Sequence, residues 1–360
     1  MRSSVLLQTL ASLAGASPLV ARQDIDFNLV NAAPDPSTAA IPVGPTAGSA
    51  TYDLAAATQA ATATPLPVEP AGKRDVLEAR SACQPMPTGS GPSITPDTDQ
   101  AFLGSSDLST TATGATTPSG YNRTFTNLQA SNTAYGFIGF TTLSSYDTVR
   151  AGNLCNFMSG CLGFNIFFER DPTLEPGPGC PNPPSTTIIR CVFWGGYVGP
   201  ENANNFGQYQ SDFHVVIAGS NGYMKTGTPT VPGFIGVSLG EATINAPLDC
   251  NGHDTYMGAK IFTTSYFDAN LCAAACTSQN DYNTAHPPAG GKPELCKFFT
   301  TYLMIQNGSP QGQYCALYTQ YWGPSYATND GQWNGDDHYT IQYSFSYVDG
   351  DNNGLPNCPA

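Results

Sequence analysis

The sequence predicts an α+β protein of two disulfide-stapled modules, each an antiparallel sheet with one short helix. Three observations carry this: a segment that returns at a fixed offset, cysteines that keep their order in both copies, and short runs rich in β-branched and aromatic residues. The segment is ANNFGQYQSDFHVVI at 203–217, matched by ATNDGQWNGDDHYTI at 327–341, with seven of fifteen positions identical at an offset of 124. Cys191 and Cys315 stand at the same offset. Self-similarity at a constant spacing marks two copies of one supersecondary unit.

Upstream, YDTVRAGNLCNFMSGCLGFNIFF (146–168) aligns with YFDANLCAAAC, a loop and CKFFTTYLMI (266–305). Asp147 then matches Asp268, Cys155 matches Cys276 and Cys161 matches Cys296. Each copy runs through helix, cysteine pair, apolar strand, cysteine-led strand and His-bearing strand. The helix is clearest in copy two, where Asp268 caps the alanine-rich, proline-free ANLCAAACTSQ. Cys272 and Cys276, four residues apart, share one helical face that points at a sheet. The strands are GFNIFF, TIIRCVFWG and FHVVIAG in the first copy, FFTTYLMI, QYCALYT and YTIQYSFSYV in the second. Gly207 and Gly331 read as residues of the turn before the last strand.

Residues 1–16 read as a secretory signal: Arg2 precedes the apolar run Val5 to Leu13, and Ala14-Gly15-Ala16 supplies small residues for cleavage. Residues 17–74 are rich in Ala, Pro, Thr and Val with little aromatic content, and read as a disordered pro-segment. It ends at Lys73-Arg74, a dibasic processing signal. A Pro/Thr/Ser-rich linker carrying Cys83 (75–120), the first repeat (121–224), a connector (225–240) and the second repeat (241–358) complete the division. All 11 cysteines follow residue 82, so the chain belongs to an oxidising compartment with disulfides. A formal charge of −14 with only 13 Lys and Arg disfavours nucleic acid and anionic membranes as partners.

Copy two carries six cysteines in the order Cys250, Cys272, Cys276, Cys296, Cys315, Cys358, with C-x3-C on the helix. This resembles the PAN/apple module, and residues 121–358 as a whole resemble a group of fungal secreted proteins with two such units. The resemblance implies nested pairing: Cys250–Cys358, Cys272–Cys315 and Cys276–Cys296. It also implies a non-catalytic role in binding extracellular or cell-wall carbohydrate or glycoprotein. Copy one departs from the pattern, because Ala151 stands where Cys272 stands in copy two. Cys155–Cys161 carries over. Cys83–Cys180 is preferred, leaving Cys191 as a buried thiol; Cys180–Cys191, stranding Cys83, is the alternative.

Sugar rings stack their C–H faces on aromatic side chains while amides bond their hydroxyls. The candidates for such contacts are Trp194 and Trp322, which follow Cys191 and Cys315, and Tyr209 and Trp333, which sit beside Gln208 and Gln332 in the repeated segment. Asp212 with His214, and Asp336 with His338, are two apart on a strand and share a face, but a metal site needs a further ligand and none is indicated. No cofactor is indicated. Gly236-Val237-Ser238-Leu239-Gly240 matches a nucleophile-elbow string, yet EATINAPLDC after it opposes the helix that an elbow requires. Paired acids for a polysaccharide hydrolase are available among Glu169, Asp171, Glu175, Asp249 and Asp254, though their separation is not legible. A structural cell-wall role through a free thiol is the third class. Asn122 and Asn307 open glycosylation sequons, the second weakened by Pro310.

Overall fold

The β-branched and aromatic runs assemble into two antiparallel sheets, in a computed structural model that describes residues 24–36, 42–63 and 81–350. Four short helices and one strand precede or flank the first sheet: α1 (Phe27–Ala32), β1 (Ala47–Ser49), α2 (Leu54–Thr62), α3 (Asp99–Leu103) and α4 (Ser106–Gly114). The first unit continues with β2 (Tyr121–Leu128), β3 (Phe137–Leu143), α5 (Thr148–Phe157), β4 (Gly163–Pro172), β5 (Ser185–Trp194), β6 (Gly207–Gln210) and β7 (Phe213–Lys225). The second contains β8 (Phe234–Gly240), β9 (Thr243–Ile244), β10 (Tyr256–Phe262), α6 (Ala269–Ala285), β11 (Phe298–Gln306) and β12 (Ser309–Tyr318). It ends with β13 (Ala327–Asn329), β14 (Gly331–Asn334) and β15 (Asp337–Asp349).

Strand order is the same in both units: β3-β5-β4-β7 in the first and β10-β12-β11-β15 in the second, with β6 and β14 as hairpin partners of β7 and β15. Register agrees too, since Phe167 faces Arg190 as Tyr302 faces Tyr314. The single helix of each unit starts where a matched aspartate accepts a backbone N–H, Asp147 from Arg150 and Asp268 from Asn270. One face of each sheet packs on that helix. In the first unit Phe164, Ile166, Ile189, Cys191 and Phe193 meet Ala151 and Cys155; in the second Phe299, Leu303, Cys315 and Leu317 meet Leu271, Cys272 and Cys276. The opposite face is buried as well, so central strands such as β4 carry no exposed position.

The balance of elements corrects the α+β expectation: the protein is sheet-dominated, with few and mostly short helices. Two segments expected to lack structure also contribute elements. In 17–74, Asp26 and Asp53 cap α1 and α2, and Ile25, Val30, Ala57 and Ala61 are buried. β1 pairs with β3, extending the first sheet, while α2 lies on α6, so this arm touches both units. Lys260 Nζ donates to the carbonyls of Ala60, Ala61 and Ala63 at the C-terminal end of α2, where the helix dipole favours a cation. In 75–120, Thr98 and Ser105 cap α3 and α4, whose Phe102 and Leu108 enter the first core. Low apolar content hid these elements because each needs only one or two buried side chains. The expected connector supplies β8, which pairs with β15 and holds Ser238 mid-strand opposite Phe345.

The units touch directly. Tyr135 Oη donates to the Phe262 carbonyl at 2.8 Å and Phe267 N to the Gly195 carbonyl at 2.7 Å. Tyr266 lies so close to Gly195 that a Cβ there would sit 2.2 Å from the tyrosine Cβ, which explains the glycine. Disulfides join Cys83 to Cys180, Cys155 to Cys161, Cys272 to Cys315 and Cys276 to Cys296, while Cys191 is a free buried thiol. These cystines fit an extracellular environment. The Cys358 end of the expected Cys250–Cys358 bond, the signal segment and Lys73-Arg74 lie outside the described residues. No described helix is long and apolar enough to cross a membrane.

Candidate functional site

The repeated segment forms one hairpin in each unit, β6–β7 and β14–β15, and its identities divide into those the fold requires and those it does not. Asn205 and Asn329 accept the N–H of Gly207 and Gly331. Both glycines have positive φ, and a Cβ on either would lie 2.0 Å from the carbonyl oxygen of Val215 or Tyr339. They are therefore needed where two strands approach, which corrects the reading of them as turn residues. Ile217 and Ile341 are core. The repeated Gln, Asp and His relieve no such backbone clash, although Gln332 and His214 make hydrogen bonds to other elements.

At the hairpin tips an aromatic ring stacks on the histidine directly across the ladder. Tyr209 faces His214 with ring centroids 4.0 Å apart and planes 4° from parallel; Trp333 faces His338 at 4.4 Å and 12°. Tyr209 is 68% exposed and Trp333 66%, among the most exposed large apolar side chains described. Each imidazole backs one ring face and leaves the other to solvent, giving a flat, braced apolar platform. His214 is held by Asp99 Oδ2 at 2.7 Å, and that hydrogen bond keeps the Asp99 carboxyl below its ordinary range against an opposing effect of burial. In the second unit His338 N donates to Asn307 Oδ1, and Asn307 Nδ2 donates to Asp337 Oδ1.

Several expected site residues lie elsewhere. Trp194 is buried in the core, and Trp322 is buried with its indole N–H donated to Thr255 Oγ1 at 2.9 Å, so neither presents a ring to ligand. Gln208 is exposed beside Tyr209, whereas Gln332 Oε1 accepts the Ile25 N–H at 2.9 Å. Asp212 and Asp336 fall in the turns ahead of β7 and β15 rather than on the strands with their histidines. Among the described residues no three His, Cys, Asp or Glu side chains come together as a metal site. Asn122 is exposed on β2; the Asn307 amide is engaged as above.

Two constellations on the outer sheet faces escaped the sequence reading, which offers Glu169 and Asp171 only as candidate hydrolase acids and not as buried partners of an arginine. In the first unit Arg190 bonds Glu169 Oε1 at 2.6 Å and Asp171 Oδ2 at 3.2 Å, in a cluster with both acids and the guanidinium almost fully buried. The arm covers it: Arg190 Nη1 donates to the Pro45 carbonyl, and Gly44 N donates to Asp171 Oδ2. Burial, then the neighbouring Glu169 charge, push the Asp171 carboxyl well above its ordinary range despite Arg190. A lone Arg in the apolar run TIIRCVFW was the available signal, since a buried guanidinium demands acids.

In the second unit the equivalent ground is a cleft walled by Tyr256, Tyr302, Tyr314 and Tyr318, floored by Ala316 and closed by Asp24 and Ile25. Tyr302 and Tyr314 stack at 5.2 Å, and burial raises the phenol of each. Tyr314 Oη accepts the Asp26 N–H at 3.3 Å. No known protein family, curated protein or solved structure matches this chain.

Proposed function

We propose that the chain is a secreted, non-catalytic binding protein of two apple-like modules that recognises extracellular or cell-wall carbohydrate or glycoprotein. The observation that carries the reading is the twice-built hairpin tip, where Tyr209 on His214 and Trp333 on His338 hold an exposed ring over an imidazole. A pyranose stacks its C–H face on such a ring, and the polar groups nearby, Gln208 at one tip and Asn334 with Asp336 at the other, suit its hydroxyls. Two weak sites on one molecule favour a repetitive polymer, because the second engagement is intramolecular. Trp194 and Trp322 are left out of the site on account of their burial. A glycan array probed with the full secreted chain tests the reading. Binding to chitin, glucans or mannans supports it, and a blank array overturns it for carbohydrate.

A further inference from the structure

We propose that the tyrosine-walled cleft of the second unit is a peptide-binding site, and that residues 24–32 of the same chain are its resident occupant. The cleft shares no side chain with the stacked hairpin pairs, although the arm bonds Gln332 and packs edge-on against Tyr339, the neighbours of Trp333 and His338.

The first unit finishes the same position with an ion cluster instead of an inserted side chain. Phe167, Arg190, Val192 and Trp194 stand there where the second unit has Tyr302, Tyr314, Ala316 and Tyr318, and the arm meets that cluster through backbone groups, the Pro45 carbonyl and the Gly44 N–H. In the second unit the recess between these tyrosines is entered by Ile25 of the arm rather than by a side chain of the sheet. Ile25 closes it, 5% exposed, as an aliphatic plug in an aromatic wall. The backbone enters as a ligand peptide would: Ile25 N donates to Gln332 Oε1 and Asp26 N to Tyr314 Oη, while Asp26 caps the turn of helix that follows. Main-chain donors thus fix the register and one apolar side chain supplies the anchor, the usual division of labour in peptide recognition. Of residues 24–32 Ile25 and Val30 are buried, Phe27 and Leu29 pack partly buried against the same core, and Phe27 meets Tyr339 edge-on. All 11 cysteines lie after residue 82, so no disulfide ties this segment down and its hold on the cleft is non-covalent. The partner it models is an extended peptide with an aliphatic residue followed by an acidic helix cap.

The test uses the full chain with Ile25→Glu, which places a carboxylate against four tyrosine rings and drives the arm out of the cleft. The probe is a fluorescein-labelled synthetic peptide of residues 24–36. Fluorescence anisotropy is expected to show saturable binding to the Ile25→Glu protein and at least about tenfold weaker binding to wild type, whose tethered arm competes at an effective concentration of order mM. Tyr314→Phe in the Ile25→Glu background should weaken uptake about fivefold, the worth of one hydrogen bond, and a peptide carrying Ile25→Glu should not bind. A Ile25→Glu protein with unchanged near-ultraviolet dichroism that takes up no peptide would overturn the assignment. Equal uptake of both peptides, or uptake of chitin or glucan oligosaccharides and not peptide, would do the same. Should that variant fail to fold, a specific-protease site placed at 37–41 of the otherwise unchanged chain provides the second measurement. After cutting, labelled peptide must exchange into the cleft, and failure to exchange contradicts the proposal.

Discussion

The two units share strand order, register and a capped helix, yet they are held together by different means. Where the second has the Cys272–Cys315 bond between helix and sheet, the first has Ala151 facing an unbonded Cys191 in the same core position. Where the second has a tyrosine cleft closed by the arm, the first has Arg190 with Glu169 and Asp171. The comparison teaches that the sheet and its hairpin are the invariant part of the unit. Covalent staples and outer-face fillings are interchangeable solutions to the same burial problem.

The largest break in that comparison is expected from the ion cluster. Arg190→Leu strands two buried carboxyl groups and should cost about 3–5 kcal/mol in chemical denaturation, whereas Tyr314→Phe at the matched position should cost about 1 kcal/mol. Equal losses would contradict the claim that the two faces are finished differently. Next comes restoration of the missing staple. Ala151→Cys should bond to Cys191, visible by non-reduced peptide mapping, and should raise stability by about 3 kcal/mol if the native geometry accepts it. The burial that pushes up the Cys191 thiol also keeps it inert toward exposed alkylating reagents until then.

A smaller effect concerns pH. The folded pKa of Asp171 is raised above its unfolded value, so folding takes up protons there; its contribution to stability is full at acid pH and declines as pH rises through the folded value. Asp171→Asn should flatten that decline in urea titrations between pH 4 and 8. A wild-type curve that rises across the window in parallel with the variant would refute the assigned direction. The smallest effect on stability belongs to the hairpin tips: Tyr209→Ser and Trp333→Ser, both at exposed positions, should each change it by no more than about 0.5 kcal/mol.

Much of the repeated framework was legible because it rests on local rules. The capping aspartates Asp147 and Asp268, the helical Cys272 and Cys276, and the strand runs all signal their structure through immediate neighbours. Exposure was not legible in the same way. Trp194 and Trp333 are both ring candidates in the sequence, and only the pairing of β5 between β3 and β4, against the free edge of β14, buries one and exposes the other. The arm was missed for a thermodynamic reason. Ala57 and Ala61 offer little apolar area to a compositional reading, but four residues apart on one helical face they fit closely against α6. Arg190 could have been flagged from sequence, whereas its acid partners are set by register across β4 and β5.

The most direct measurement is retention of the full secreted chain on insoluble chitin, glucan and mannan, compared with the Tyr209→Ser/Trp333→Ser double variant. Loss of one stacking platform is worth up to about tenfold in affinity, and loss of both also removes the gain from two-point attachment. Retention of the wild type on at least one polymer, abolished in a double variant with an unchanged melting temperature, is the predicted result. Equal retention of the two proteins would show that the stacked hairpin tips are not the ligand contacts.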